Sequence, residues 1–124
     1  MNYTPYIVSV INREEKDMKL QAALDTLTLN ECIDLLEETE GFIDIAEVGT
    51  PFVIEEGMVP VKEFKKQFPN IEILADVKIM DAGEYEADKC FEAGADICTA
   101  LGVSHNETIE GVVRSAKKYG KKVM

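Results

Sequence analysis

From Met18 onward, short apolar runs alternate with stretches of helical periodicity. Lys19–Asp25 (KLQAALD) reads as a short buried strand ending on a carboxylate. Thr28 is placed to cap a helix over Leu29–Glu40, with Leu29, Cys32, Ile33 and Leu36 at helical spacing and Glu31 and Asp34 early. Asp44–Val48 is a second strand, followed by the turn Gly49-Thr50-Pro51 and a helix over Glu56–Phe68 that Pro69-Asn70 ends. Ile71–Asp76 is a third strand, and Val77–Met80 carries it into a loop. A helix over Ala82–Ala93 follows, closed by Gly94. Asp96–Ala100 is a fourth strand, Ser104 or Asn106 caps a helix over Glu107–Tyr119 that Gly120 terminates, and Lys121–Met124 begins a fifth strand.

Strand–helix alternation of this kind implies an α/β fold with a parallel sheet and right-handed crossovers. A doubly wound open sheet and a (β/α)₈ barrel both fit. No G-x-G-x-x-G or G-x-x-x-x-G-K-[ST] follows the first strand, which counts against a nucleotide-binding open sheet. A whole barrel needs about 200 residues or more. The 124 residues therefore suit a partial TIM barrel, four βα units plus the start of strand five. Residues 1–17 do not join the pattern and are expected to be an extension. Residues 12–18 can be encoded by a purine-rich stretch resembling a bacterial ribosome-binding site, so Met18 is the expected start.

Charge and composition narrow the classes. A net charge of −11 disfavours nucleic acid as a partner. There is no apolar run long enough to cross a membrane and no basic residue before Tyr6–Ile11 to make a signal peptide, so a cytoplasmic location is expected. Cys32, Cys90 and Cys98 have no CxxC spacing and read as buried, reduced thiols.

Barrel chemistry sits at the C-terminal ends of strands. Those ends offer Asp25, Glu47 and Asp76, each among apolar neighbours, with Lys78 and Asp81 just beyond. A charge in such surroundings is costly unless it is paired or metal-bound. Strand alternation puts Asp76 and Lys78 on one face. Carboxylates with a lysine suit Mg²⁺ and a cation that stabilises an enediolate oxygen. Blander readings stand beside these. Asp25 also fits a loop start, Asp76 and Lys78 a plain ion pair, and Asp81 the N-cap of a D-A-G-E capping box. His105 and Asn106 read as a loop tip and cap, Glu84, Glu86 and Asp88 as a solvated helix face, and the pairs Lys117-Lys118 and Lys121-Lys122 as helix C-terminal charge complementation.

Asp76-Val-Lys78-Ile-Met-Asp81 resembles the D-x-K-x-x-D signature of the orotidine-5′-phosphate decarboxylase superfamily. Ala-Leu-Asp25, Asp-Ile-Ala-Glu47-Val-Gly-Thr-Pro51, Lys78-Ile-Met-Asp81-Ala-Gly-Glu-Tyr-Glu-Ala87 and Gly94-Ala-Asp-Ile-Cys-Thr-Ala-Leu-Gly-Val103 look like its 3-hexulose-6-phosphate synthase branch. The resemblance covers essentially all of residues 18–124. It implies Glu47 and Asp76 as Mg²⁺ ligands, Asp25 as a contact to substrate hydroxyls, and Lys78 as the lysine that stabilises the enediolate. Asp81 would cross the interface of a homodimer into the partner's active site. The implied reaction is an aldol addition of ribulose 5-phosphate to formaldehyde, giving a hexulose 6-phosphate. The branch's fifth-strand histidine, phosphate loops and late arginine have no counterpart in these 124 residues, so this chain alone is expected to be inactive. Two alternatives stand: a 3-keto-L-gulonate-6-phosphate decarboxylase, which shares the metal and lysine positions, and an inactive half-barrel that serves oligomerisation.

Overall fold

The computed structural model describes residues 18–124; the expected extension over residues 1–17 lies outside the described residues. The strands are β1 (Gln21–Leu24), β2 (Ile45–Val48), β3 (Glu72–Ile79), β4 (Ile97–Ala100) and β5 (Lys122–Val123). The helices are α1 (Leu29–Thr39), α2 (Thr50–Glu56), α3 (Val59–Gln67), α4 (Gly83–Glu92) and α5 (Asn106–Tyr119). One parallel sheet runs in the order β1-β2-β3-β4-β5. That order decides between the two architectures. A doubly wound sheet reverses its strand order at a switch point and carries helices on both faces. Here each strand pairs with the next, as in the arc of a (β/α)₈ barrel.

The two faces of the sheet are filled differently, as their period of two requires. Leu24, Ala46, Val48, Ile73, Ala75 and Ile79 face the helices and join Leu36, Phe52, Phe64, Phe91 and Val112 in the main core. The other, concave face holds a small cluster with no helical member: Ile45, Leu74 and Ile97, one from each central strand. At the N-terminal end of that face Lys19 and Lys122 both donate to Glu72 Oε1, at 2.8 and 2.7 Å. Ions at the base and an apolar layer above them leave the C-terminal strand ends for chemistry.

Local rules explain most element boundaries. Thr28 and Glu31 form a reciprocal capping box: Thr28 N donates to Glu31 Oε2 at 2.8 Å, and Glu31 N to Thr28 Oγ1 at 3.3 Å. The stretch expected as a turn and one helix is two helices, α2 and α3. Pro51 and Pro60 each stand in a first turn, where no backbone N–H is needed. Gly57, at φ 61°, ends α2 between them. Strand β3 runs on through Asp76 and Lys78 to Ile79 instead of ending at Asp76. Asp81 is not a cap; the N-cap of α4 is Ala82, and it makes no side-chain bond. For α5 the N-cap is His105, not Ser104 or Asn106; Ser104 Oγ turns back to Leu101 O at 2.7 Å.

Helices α4 and α5 pack so closely that charges expected to face solvent are used between them. Arg114 pairs with Glu84, and Asp88 accepts from Ser115 and Lys118. Lys121 likewise serves an ion pair, with Asp96, and Lys122 serves Glu72, instead of complementing a helix end. Cys32, Cys90 and Cys98 are buried and free. Burial pushes their thiols up to about 11, about 11 and about 12, which keeps them protonated and unreactive. Among the described residues, no helix is long and apolar enough to cross a membrane.

Asp96 ties three segments together. Its Oδ2 accepts from Lys65 Nζ at 2.8 Å and from the Ile73 amide at 3.0 Å, and its Oδ1 accepts from Lys121 Nζ at 2.7 Å. Burial works to raise its pKa, but the hydrogen bonds from Lys121, Lys65 and Ile73 outweigh it and hold the carboxyl below its ordinary value. A group lowered on folding stabilises the fold above its unfolded pKa of about 3.9 and loses that effect as pH falls through the folded value. Asp96→Ala should therefore lower stability at neutral pH by about 2 kcal/mol, mostly by orphaning the Ile73 amide. In urea denaturation the gap between variant and wild type should narrow as the pH drops below 4.

Candidate active site

The C-terminal end of the concave face gathers Asp76 and Lys78 of β3 with Thr50 of α2 and Thr99 of β4. Asp76 is mostly buried, with 13% of its side chain exposed, and every donor around it is spent on it. Thr99 Oγ1 donates to Asp76 Oδ1 at 2.8 Å. Thr50 Oγ1 lies 2.9 Å from Oδ2 and 2.7 Å from the Asp76 carbonyl. Lys78 Nζ donates to both Asp76 Oδ2 and Thr50 Oγ1. Burial alone would raise the Asp76 pKa, but Lys78, Thr99 and Thr50 together hold it below the usual carboxylate value. Asp76 is thus an anion at neutral pH, and the ammonium of Lys78 is aimed at the same point.

Alternation keeps Asp76 and Lys78 on one face, with Ala75, Val77 and Ile79 on the other, and a bulge then sets the aim of Lys78. Between β3 and β4 the register passes from Ala75↔Cys98 to Ile79↔Ala100, so four steps of β3 face two of β4. The bulge is absorbed at Lys78, which has φ 51°; it is the only described non-glycine residue with positive φ. That region costs an L-residue on the order of 1–2 kcal/mol. Such strain, held against its own cost, is characteristic of sites where a side chain must be aimed.

The other three predicted residues are placed around this pair without touching it. Glu47, half-buried on β2, is aligned with Leu74 of β3, one inward-facing position short of Asp76. Its Oε2 accepts from Gln21 Nε2 at 2.6 Å. Asp25 follows β1 and is exposed, with its carboxylate laid against Gly49; a Cβ at Gly49 would fall 1.9 Å from Asp25 Oδ1. Gly49 is therefore glycine for space. Asp81 is exposed at the start of the β3–α4 connection. Its carbonyl accepts from Thr108 Oγ1 at 3.0 Å, while its carboxylate bonds to no described residue.

Glu47 and Asp76 could hold a hard cation, since both offer oxygen alone and share the inner face of adjacent strands. Among the described residues, no three His, Cys, Asp or Glu side chains converge into a metal cage. Two carboxylates without a cage fit Mg²⁺, which keeps several waters and takes one or two carboxylates plus substrate oxygens. They would not fit a structural zinc. Thr50 and Thr99 were not read from the sequence as site residues. The signal available was slight: a hydroxyl at each of the strand ends flanking β3.

Comparison with known proteins agrees with the fold. The model of the Orotidine 5'-phosphate decarboxylase / HUMPS family matches residues 18–124. Over 107 residues the chain is 53% identical to the 3-hexulose-6-phosphate synthase of Bacillus subtilis, covering 86% of this chain and 51% of that protein. It is 46% identical over 102 residues to the synthase of Methylomonas aminofaciens, covering 82% of this chain and 49% of that one. The chain spans about half the length of the curated relatives it matches. Among solved structures it superposes on the 3-hexulose-6-phosphate synthase of Salmonella typhimurium with a TM-score of 0.83 at 49% identity, covering 86% of this chain and 50% of that one. The 3-keto-L-gulonate-6-phosphate decarboxylase of Vibrio cholerae gives 0.81 at 30% identity, covering 85% and 49%. With the sequential parallel sheet, the strand-end carboxylates and a family model matched over residues 18–124, this chain belongs to the Orotidine 5'-phosphate decarboxylase / HUMPS family.

Proposed function

We propose that this site serves a 3-hexulose-6-phosphate synthase, which joins C1 of ribulose 5-phosphate to formaldehyde. The observation that carries the reading is the Asp76–Lys78 pair, an anion and a cation fixed at one strand end beside Glu47. Loss of a C1 proton from a ketose leaves negative charge on the neighbouring oxygen. The Lys78 ammonium, at the mouth of the sheet and already aimed by the bulge, stabilises that charge as it forms. Asp76 orients Lys78 by accepting from its Nζ. Asp25, on the rim, accepts from substrate hydroxyls. Attack of C1 on the carbonyl carbon of formaldehyde then forms one C–C bond while the C=O π bond opens to an alkoxide, which takes up one proton in place of the one lost from C1. Mg²⁺ held by Glu47 and Asp76 would supply Lewis-acid charge for the substrate oxygens.

Asp81 fits a role on a partner. Its carboxylate bonds to no described residue, and Met80 and Tyr85 beside it are 61% and 68% exposed. In a homodimer this connection would reach the neighbouring site.

Product analysis tests the reading. Mixing the chain, completed to the full length of its relatives, with ribulose 5-phosphate, formaldehyde and Mg²⁺ should give a hexulose 6-phosphate, in a reaction stopped by EDTA and restored by Mg²⁺. Release of CO₂ from 3-keto-L-gulonate 6-phosphate with no formaldehyde fixation would replace it by the decarboxylase reading. A completed chain that folds, oligomerises and is inert towards both substrates would replace it by the oligomerisation reading.

A further inference from the structure

We infer that Thr99 is a positioning residue, whose hydroxyl holds the backbone of Lys78 and the carboxylate of Asp76 in one fixed arrangement. Three observations carry this. The bulge between Ala75 and Ile79 takes Lys78 out of the ladder between β3 and β4, so its amide has no backbone acceptor on the neighbouring strand. Thr99 Oγ1 takes that amide instead, at 2.8 Å, replacing the ladder bond with a side-chain bond. The same oxygen donates its own proton to Asp76 Oδ1, at 2.8 Å.

The chemistry selects the residue type. The position needs a group that accepts from an amide and donates to a carboxylate through one atom, at the end of a buried strand. A hydroxyl does both at once; a carboxylate cannot donate and valine can do neither. Threonine adds a branched side chain suited to a strand. Left-handed backbone at Lys78 is unfavourable for a lysine and persists only if the surroundings hold it. Without the hydroxyl, Lys78 would relax towards ordinary extended backbone, and its ammonium would leave the point shared by Asp76 and Thr50.

The consequence for turnover rests on the synthase reading above; the clamp itself does not. The experiment therefore begins with a readout that needs no substrate: hydrogen exchange at backbone amides, followed by ¹⁵N NMR, in Thr99→Val and Thr99→Ser. Thr99→Val should speed exchange of the Lys78 amide by about tenfold or more, the loss of one hydrogen bond, with Ile73 and Ala100 amides unchanged. Thr99→Ser, which keeps the hydroxyl, should retain the protection. In an active preparation Thr99→Val should also lower kcat with little change in KM, and Thr99→Ser should recover it. Unchanged protection at Lys78 in Thr99→Val would overturn the inference, as would loss spread evenly over β3 and β4. If Thr99→Val does not fold, Lys78→Gly combined with Thr99→Val should restore folding, because glycine accepts positive φ unaided; failure of that double variant would also overturn it. Absence of turnover in a wild-type chain completed to its relatives' length would refute the synthase reading and leave the exchange result standing.

Discussion

Lys78→Ala should lower the rate of carbon–carbon bond formation by about 10²–10³-fold, the usual loss when one donor to a developing oxyanion is removed. The expectation follows from where the charge sits. Lys78 Nζ is bound to Asp76 Oδ2 and Thr50 Oγ1, so its side chain is already ordered and no further entropy is lost when substrate arrives. Its backbone is held at φ 51°, a conformation with no stabilising value of its own. Alanine at this position keeps the backbone strain and removes the cation, so the fold should lose little while turnover loses most. Lys78→Arg should not rescue it, because a planar guanidinium cannot take the place of a point charge shared by a carboxylate and a hydroxyl. Steady-state kinetics beside urea denaturation would separate the two effects: a large fall in kcat/KM with a nearly unchanged denaturation midpoint.

Gly83→Ala should destabilise the fold by about 3 kcal/mol, the upper end for an overpacked site. Ordinarily alanine would be favoured over glycine in a helix by about 0.5–1 kcal/mol. Here the sign reverses because a Cβ on Gly83 would stand 2.1 Å from the carbonyl oxygen of Thr108. The obstacle is backbone of α5 and cannot rotate away. Gly111 meets α4 in the same manner, with its Cβ position 2.9 Å from the Glu84 amide nitrogen. The two helices must therefore separate at their N-terminal ends. Against a total of 5–15 kcal/mol for a typical domain, that is a large share. The same movement would break the bond from Thr108 to the Asp81 carbonyl and displace the connection that carries Asp81. The midpoint of urea denaturation reads the first effect, and the position of the Asp81 amide signal in an NMR spectrum reads the second.

Much of this architecture was legible in the residues. Apolar runs of strand length, each followed by a helical pattern, were enough to number the units. Strand-end carboxylates in apolar surroundings were enough to mark Asp25, Glu47 and Asp76. What escaped was decided by contacts between segments far apart in the chain. The bulge at Lys78 depends on a hydroxyl 21 residues away, and no local propensity announces it. Thr50 and Thr99 looked like turn and strand residues because a threonine advertises no charge, yet both bind Asp76. The break between α2 and α3 was visible in principle: Pro51 and Pro60 are helix-start signals, and Gly57 between them is an end. Reading Pro51 as a turn residue concealed it. Glu84 is exposed as its helix face predicts, but Asp88 is drawn between the helices because the glycines that let α4 and α5 approach so closely have no signature of their own.

On the proposed synthase reading, Asp76, Lys78 and Glu47 form a centre that stabilises charge beside C1 of a ketose phosphate. The most direct test is deuterium incorporation at C1 of ribulose 5-phosphate in D₂O, with Mg²⁺ and without formaldehyde, followed by proton NMR. In the chain completed to its relatives' length, exchange at C1 should be catalysed by the wild-type protein and lost in Lys78→Ala and Asp76→Asn. Exchange that continues undiminished in both variants, or a wild-type protein that binds the sugar phosphate and leaves C1 untouched, would contradict it.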